Sequence, residues 1–99
     1  MALQIIWSPE AEETFEKIIE YLQKNWSDKE IEKFLAKTEK VLKQISSRPK
    51  MFRRSEKENI HEAIITPHNL LLYQINENNI ELLGFWDTHQ DPDRKPTNK

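Results

Sequence analysis

The chain has 99 residues, no cysteine, and 15 Lys and Arg against 17 Asp and Glu, for a formal charge of −2. This length holds one domain whose core folds without staples, and the absence of thiols excludes disulfides, a thiolate zinc site and a cysteine nucleophile. The slight acidity argues against broad non-specific binding of nucleic acid, which runs on surplus Lys and Arg. The single glycine, Gly84, excludes glycine-rich phosphate loops.

No apolar run approaches a membrane span and the N-terminus lacks a signal-peptide pattern, so a cytoplasmic protein with no membrane partner is expected. Leu3 to Trp7 (LQIIW) reads as a first strand. Ser8-Pro9-Glu10 opens a helix, with Ser as N-cap, Pro at the first helical position and Glu10, Glu12 and Glu13 at the positive end of the dipole. Ala11, Phe15, Ile18, Ile19, Leu22 and Trp26 form its apolar stripe, and Asn25-Trp26 closes it. Ser27-Asp28-Lys29-Glu30 fits a capping box and starts a second helix to about Ser46, with its stripe at Ile31, Phe34, Leu35, Thr38, Val41, Leu42 and Ile45. With almost no linker, the two helices fold back as a hairpin and pool their stripes. Pro49 breaks the second helix, and a long connection from Ser47 to about Asn59 carries Arg48, Lys50, Arg53, Arg54 and Lys57.

Asn59 to Pro92 reads as three extended segments separated by Thr66-Pro67-His68-Asn69 and Asn76-Glu77-Asn78-Asn79. Both separators are turn chemistry, and connections so short join antiparallel neighbours in a meander. The order implies an α+β domain: an N-terminal strand and a two-helix hairpin packed on an antiparallel sheet, one domain over residues 1–93 with a polar tail at 94–99. Phe15, Ile19, Phe34, Leu42, Leu71 and Tyr73 are expected under the helices. Strict alternation sets Leu71, Tyr73 and Ile75 opposite Leu70, Leu72 and Gln74. It likewise sets Ile80, Leu82, Gly84 and Trp86 opposite Glu81, Leu83, Phe85 and Asp87. Both sheet faces then carry large apolar residues, and the helices cover one. The other face, with Leu70, Leu72, Leu83 and Phe85, is either a partner surface or covered by the domain's own loop and tail.

The order of elements, the motif Trp7-Ser8-Pro9-Glu10-Ala11, the Asn25-Trp26 join, the second-helix run from Phe34 to Val41 and the ending Phe85-Trp86-Asp87-x-x-Gln90-Asp91-Pro92 resemble the RelE/ParE superfamily. These are small toxins of type II toxin–antitoxin pairs, and the resemblance covers Leu3 to about Asp93. It implies a cognate antitoxin that wraps the toxin with extended and helical segments. It also implies one of two targets: DNA gyrase for ParE-like members, messenger RNA on the ribosome for RelE-like members. A toxin that has lost its activity and survives as a binding module is a third possibility.

Metal-free RNA cleavage needs a base for the 2′-hydroxyl, an acid for the leaving oxygen and cations for the phosphorane. The residues available are His61, Glu62, Tyr73, His89, Arg53 and Arg54. Relatives carry basic groups where His61, Glu62, Pro67 and Gln74 stand here, and often an Arg at His89, so the ParE-like reading is preferred. His89 beside Asp87 and Asp91 is a general acid or base, or a turn histidine held by carboxylates. His61 has the same two readings, Glu62 is a base or a half-exposed strand residue, and Tyr73 reads as core with a bonded hydroxyl. His68 reads as solvent-facing loop, and Trp7, Trp26 and Trp86 as core or hairpin-join residues. Three histidines without helical spacing give no metal site, and no cofactor is expected. Arg48, Lys50, Arg53 and Arg54 grip an acidic protein surface or phosphates, or form a solvated run.

Overall fold

The computed structural model describes residues 3–55 and 59–87, in the order β1 (Gln4–Trp7), α1 (Pro9–Asn25), α2 (Asp28–Ser47), β2 (Arg53–Arg54), β3 (Ile60–Thr66), β4 (Asn69–Ile75) and β5 (Asn79–Asp87). The expected domain end at residue 93 and the tail at 94–99 lie outside the described residues.

The helix boundaries follow local chemistry. The Ser8 hydroxyl accepts the Ala11 amide at 3.1 Å, Pro9 takes the first helical position, and Glu10 and Glu12 sit in the first turn. At α2 the expected capping box does not form: the Ser27 side chain makes no capping bond. Instead the Glu30 and Ile31 amides reach the Ser27 carbonyl at 3.0 and 3.4 Å. The backbone turn satisfies those donors before the hydroxyl is needed.

The sheet has five strands in the order β1-β5-β4-β3-β2. β3, β4 and β5 form the expected antiparallel meander, while β1 pairs parallel with β5, Ile5 opposite Ile80 and Trp7 opposite Leu82. The strand not expected from sequence is β2. It lies inside the basic connection and pairs Arg53 with Glu62 and Arg54 with His61. Two consecutive arginines give no apolar alternation, so nothing in the pattern marks them as extended. Asn59 leads into β3 at φ 66°, a left-handed conformation that asparagine tolerates.

The helix-facing core joins Phe34, Thr38, Val41 and Ile45 of α2 to Ala63, Ile65, Leu71, Tyr73, Ile80, Leu82 and Phe85. Phe34, Leu71 and Tyr73 are inaccessible as expected, whereas Phe15, Ile19 and Leu42 are half-buried against the cluster. Four rings knit the hairpin to the sheet: Phe15 stacks on Phe34 at 5.6 Å, and Trp7 and Phe85 each meet Phe15, at 5.3 and 5.2 Å.

Phe85 is the chief correction. It was expected on the face away from the helices, yet it is 4% exposed and packs beneath them. The cause is a β-bulge: Tyr73 pairs with Leu82 and Leu72 with Gly84, so β5 spends one extra residue, Leu83, between adjacent positions of β4. One inserted residue reverses the inside–outside alternation beyond it. Phe85 therefore turns toward the helices and Trp86 away from them, opposite Leu70. Leu72, on the far face, is also fully buried and presents no free surface. Leu70 and Leu83 are half-buried. The exposed large apolar residues of that face, among the described residues, are Ile64 at 66% and Ile6 at 41%.

Candidate functional site

A cleft of about 670 Å³ opens between the helical hairpin and the β3–β4 turn. α1 contributes Thr14, Lys17, Ile18, Tyr21 and Leu22 to it, and the hairpin join contributes Trp26. α2 adds Glu30, Lys33, Phe34 and Lys37, and the far wall is Thr66 to Asn69 with Phe85 and Asp87. Local rules explain why it stays open. Tyr21 falls off the apolar stripe of α1, and Trp26 is the C-cap, where the chain leaves the helix. They are accordingly 57% and 58% exposed, so Trp26 is not core.

The cleft floor is apolar and its helical rim is cationic. Lys17 pairs with Glu13 along α1 at 3.3 Å and Lys33 with Glu30 along α2 at 3.7 Å, both exposed. Such pairs are each worth at most about 1 kcal/mol and exchange readily for a partner's carboxylate. The opposite wall is fixed by a turn: the Thr66 hydroxyl donates to Asn69 Oδ1 at 2.8 Å and accepts the His68 amide at 3.2 Å. His68, a solvent-facing loop residue by local pattern, lines this wall. The turn that carries it faces α1 and α2 across this cleft, a relation invisible in local pattern.

Of the described residues put forward for chemistry, His61, Tyr73 and Arg54 lie together, and Glu62 does not join them. His61 and Glu62 are consecutive on β3 and project to opposite faces of the sheet, His61 under α2 and Glu62 away from it. The Tyr73 hydroxyl donates to the Pro49 carbonyl at 2.6 Å, and burial pushes its pKa well above the ordinary value of 10.0. The His61 ring stacks on Tyr73 at 5.4 Å, its Nδ1 is buried without a hydrogen-bond partner, and burial followed by Arg54 holds its pKa below 6.5. Arg53 and Arg54 lie exposed on the edge strand, Arg48 caps the end of α2, and Lys50 is exposed in the turn between them. His89 lies outside the described residues. Among the described residues no cluster of His, Asp or Glu is placed to hold a metal ion.

A two-helix hairpin on one face of a mixed five-stranded sheet is the architecture of small type II toxins, and the solved structures bear this out. The chromosomal ParDE toxin–antitoxin system of P. aeruginosa superposes with a TM-score of 0.74 at 11% identity, covering 89% of this chain and 98% of that one. The YoeB dimer of Staphylococcus aureus gives 0.63 at 22% identity, over 91% and 100%. The E. coli DinJ–YafQ complex gives 0.58 at 9%, over 88% and 93%. No curated protein sequence matches the chain. Residues 5–92 match the ParE toxin of type II toxin–antitoxin systems, parDE, and the chain belongs to this family.

Proposed function

We propose that this toxin acts by binding and blocking DNA gyrase in the cytoplasm rather than by cutting RNA, and that a cognate antitoxin silences it by filling the cleft between the hairpin and the β3–β4 turn. One observation carries the first half. Among the described residues, Glu62 lies on the opposite face of β3 from His61, and the two groups that do meet, His61 and Tyr73, are both buried, with the Tyr73 hydroxyl occupied by Pro49. A phosphoryl-transfer site needs its base, acid and cations within hydrogen-bond reach of one phosphate. The match to the ParE family points the same way.

The cleft supports the second half. Its wall offers no free edge for an added strand at Phe85, because the Phe85 amide already donates to the Thr14 hydroxyl at 2.9 Å. An occupant that brings its own satisfied backbone, an amphipathic helix, suits such a wall. Apolar anchors of that helix would meet Ile18, Leu22 and Phe34, and acidic residues would meet Lys17, Lys33 and Lys37. The sequence from Thr88 to Lys99 contains no apolar residue larger than proline, so it lacks such anchors.

Expression of the chain alone tests the target. Gyrase supercoiling inhibited by purified toxin, with messenger RNA intact, is the expected result. Ribosome-dependent cleavage of messenger RNA with gyrase unaffected would instead establish a RelE-like endonuclease.

A further inference from the structure

The edge strand β2 is two residues long, and its ladder is extended by the Ser55 amide, which donates to the Ile60 carbonyl at 2.8 Å. The segment before it is held by Tyr73 and by Phe52, which packs against the core. The Tyr73 hydroxyl holds the Pro49 carbonyl, and the Tyr73 ring meets Phe52 edge-on at 6.4 Å. His61 stacks on that same ring, nearly parallel at 21°, and lies opposite Arg54 in the β2–β3 register. It is 6% exposed and its Nδ1 has no partner.

This place suits a neutral imidazole and not a charged one. An imidazolium carries a proton on both nitrogens, so Nδ1 would become a buried donor without an acceptor. Burial and the positive groups Arg54 from β2 and Lys50 from the turn before it disfavour the charged ring, and together they outweigh the backbone hydrogen bond at Asn59 that favours it. From β4 the ring meets Tyr73, which burial keeps protonated. The buried face of α2 presents Phe34, Thr38, Val41 and Ile45, none of which titrates. Glu62, the neighbour along β3, projects to the other face. A proton on His61 is therefore accommodated by letting water in, and the smallest element bordering it is β2.

We infer that His61 is a proton-operated latch on the sheet edge: protonation of its imidazole releases β2 and the basic segment before it, residues 49–54, while the meander stays intact. The sign follows from linkage. Well above pH 6.5 the ring is neutral in both the closed and the open edge, and protonation does not oppose closure. As pH falls below 6.5, the open form binds the proton first and closure weakens until the lower pKa of the closed form is passed. The inference does not depend on whether the toxin acts on gyrase or on RNA.

Amide exchange of Ser55 in the full chain, corrected for intrinsic rates, reads the latch directly. Between about pH 7.5 and about pH 5.5 its protection should fall several-fold while amides of β4 and β5 keep theirs. In His61→Phe, which retains a ring for Tyr73 but cannot titrate, Ser55 protection should be flat over the same range. An equal loss in His61→Phe overturns the inference. If that variant does not fold, NMR titration of the wild-type ring decides. A His61 midpoint coinciding with the loss of Ser55 protection supports the latch, and an ordinary midpoint with Ser55 unchanged overturns it.

Discussion

The Thr14 hydroxyl ties α1 to the last strand: it accepts the Phe85 amide at 2.9 Å while donating to the Glu10 carbonyl, one turn back in its own helix, at 2.8 Å. β1 pairs with β5 from Asn79 to Leu82, so beyond that point the edge of β5 would be open. Ser8 and Thr14 close it, the Ser8 amide donating to the Leu82 carbonyl at 3.2 Å. Thr14→Val keeps the shape and removes the acceptor, leaving the Phe85 amide unpaired. It should cost about 1–3 kcal/mol in chemical denaturation, whereas Thr14→Ser should be near neutral.

Phe34 is 3% exposed and stacked on Phe15, so Phe34→Ala opens a cavity at the centre of the aromatic cluster. The expected loss is about 3–5 kcal/mol by urea denaturation. A loss below about 1 kcal/mol would mean that α2 does not present this face to the sheet.

Tyr21 and Trp26 are more than half exposed, so replacing either by Ala should leave stability within about 0.5 kcal/mol of the parent. Antitoxin dissociation should nevertheless accelerate by about tenfold or more, as truncation of a buried aromatic anchor does. Lys33→Glu with Lys37→Glu should mainly slow association, as should charge reversal at Arg53 and Arg54 if the antitoxin also runs along β2. Surface plasmon resonance separates the two rates. Unaltered kinetics in Tyr21→Ala and Trp26→Ala would remove the antitoxin from the cleft.

The buried Tyr73 hydroxyl gives stability an alkaline limit. Its folded pKa is raised, so the contribution is complete below pH 10.0 and is lost as pH rises beyond it, where the unfolded chain ionises first. Tyr73→Phe should abolish that alkaline component, and removing the bond to Pro49 should lower stability at neutral pH by about 0.5–1.5 kcal/mol. Stability profiles of both chains from neutral to strongly alkaline pH check this. An identical alkaline fall in Tyr73→Phe would assign it to another group.

Where local chemistry decides structure, the sequence is readable. Ser8 and Pro9 mark the start of α1, and the asparagines of the β4–β5 turn mark a reversal that Asn76 and Asn79 then close through backbone and side-chain bonds of 2.8 and 2.9 Å. Alternation fails at Leu83, because a bulge is set by the pairing of two strands and leaves no trace in either one alone. That single residue moved Phe85 from the expected partner face into the core. The cleft was hidden for a related reason: its walls come from α1, α2, the β3–β4 turn and the end of β5, which only tertiary packing brings together.

The parallel pairing of β1 with β5 sets a timetable for biosynthesis. Ser8 bonds to Leu83 across seventy-five positions of chain, and Ile5 waits for Ile80 before it has a strand neighbour. At about 5–20 residues per second, the ribosome takes roughly 4–15 s to supply that partner. The hairpin emerges long before the sheet that its apolar stripe must cover. A newborn toxin therefore reaches its closed form only after Leu83 has been made, and an antitoxin already in the cell meets it at the moment of closure. Chains stalled before Leu82 has left the ribosome should remain protease-sensitive, including the N-terminal strand and hairpin that in the finished protein are protected.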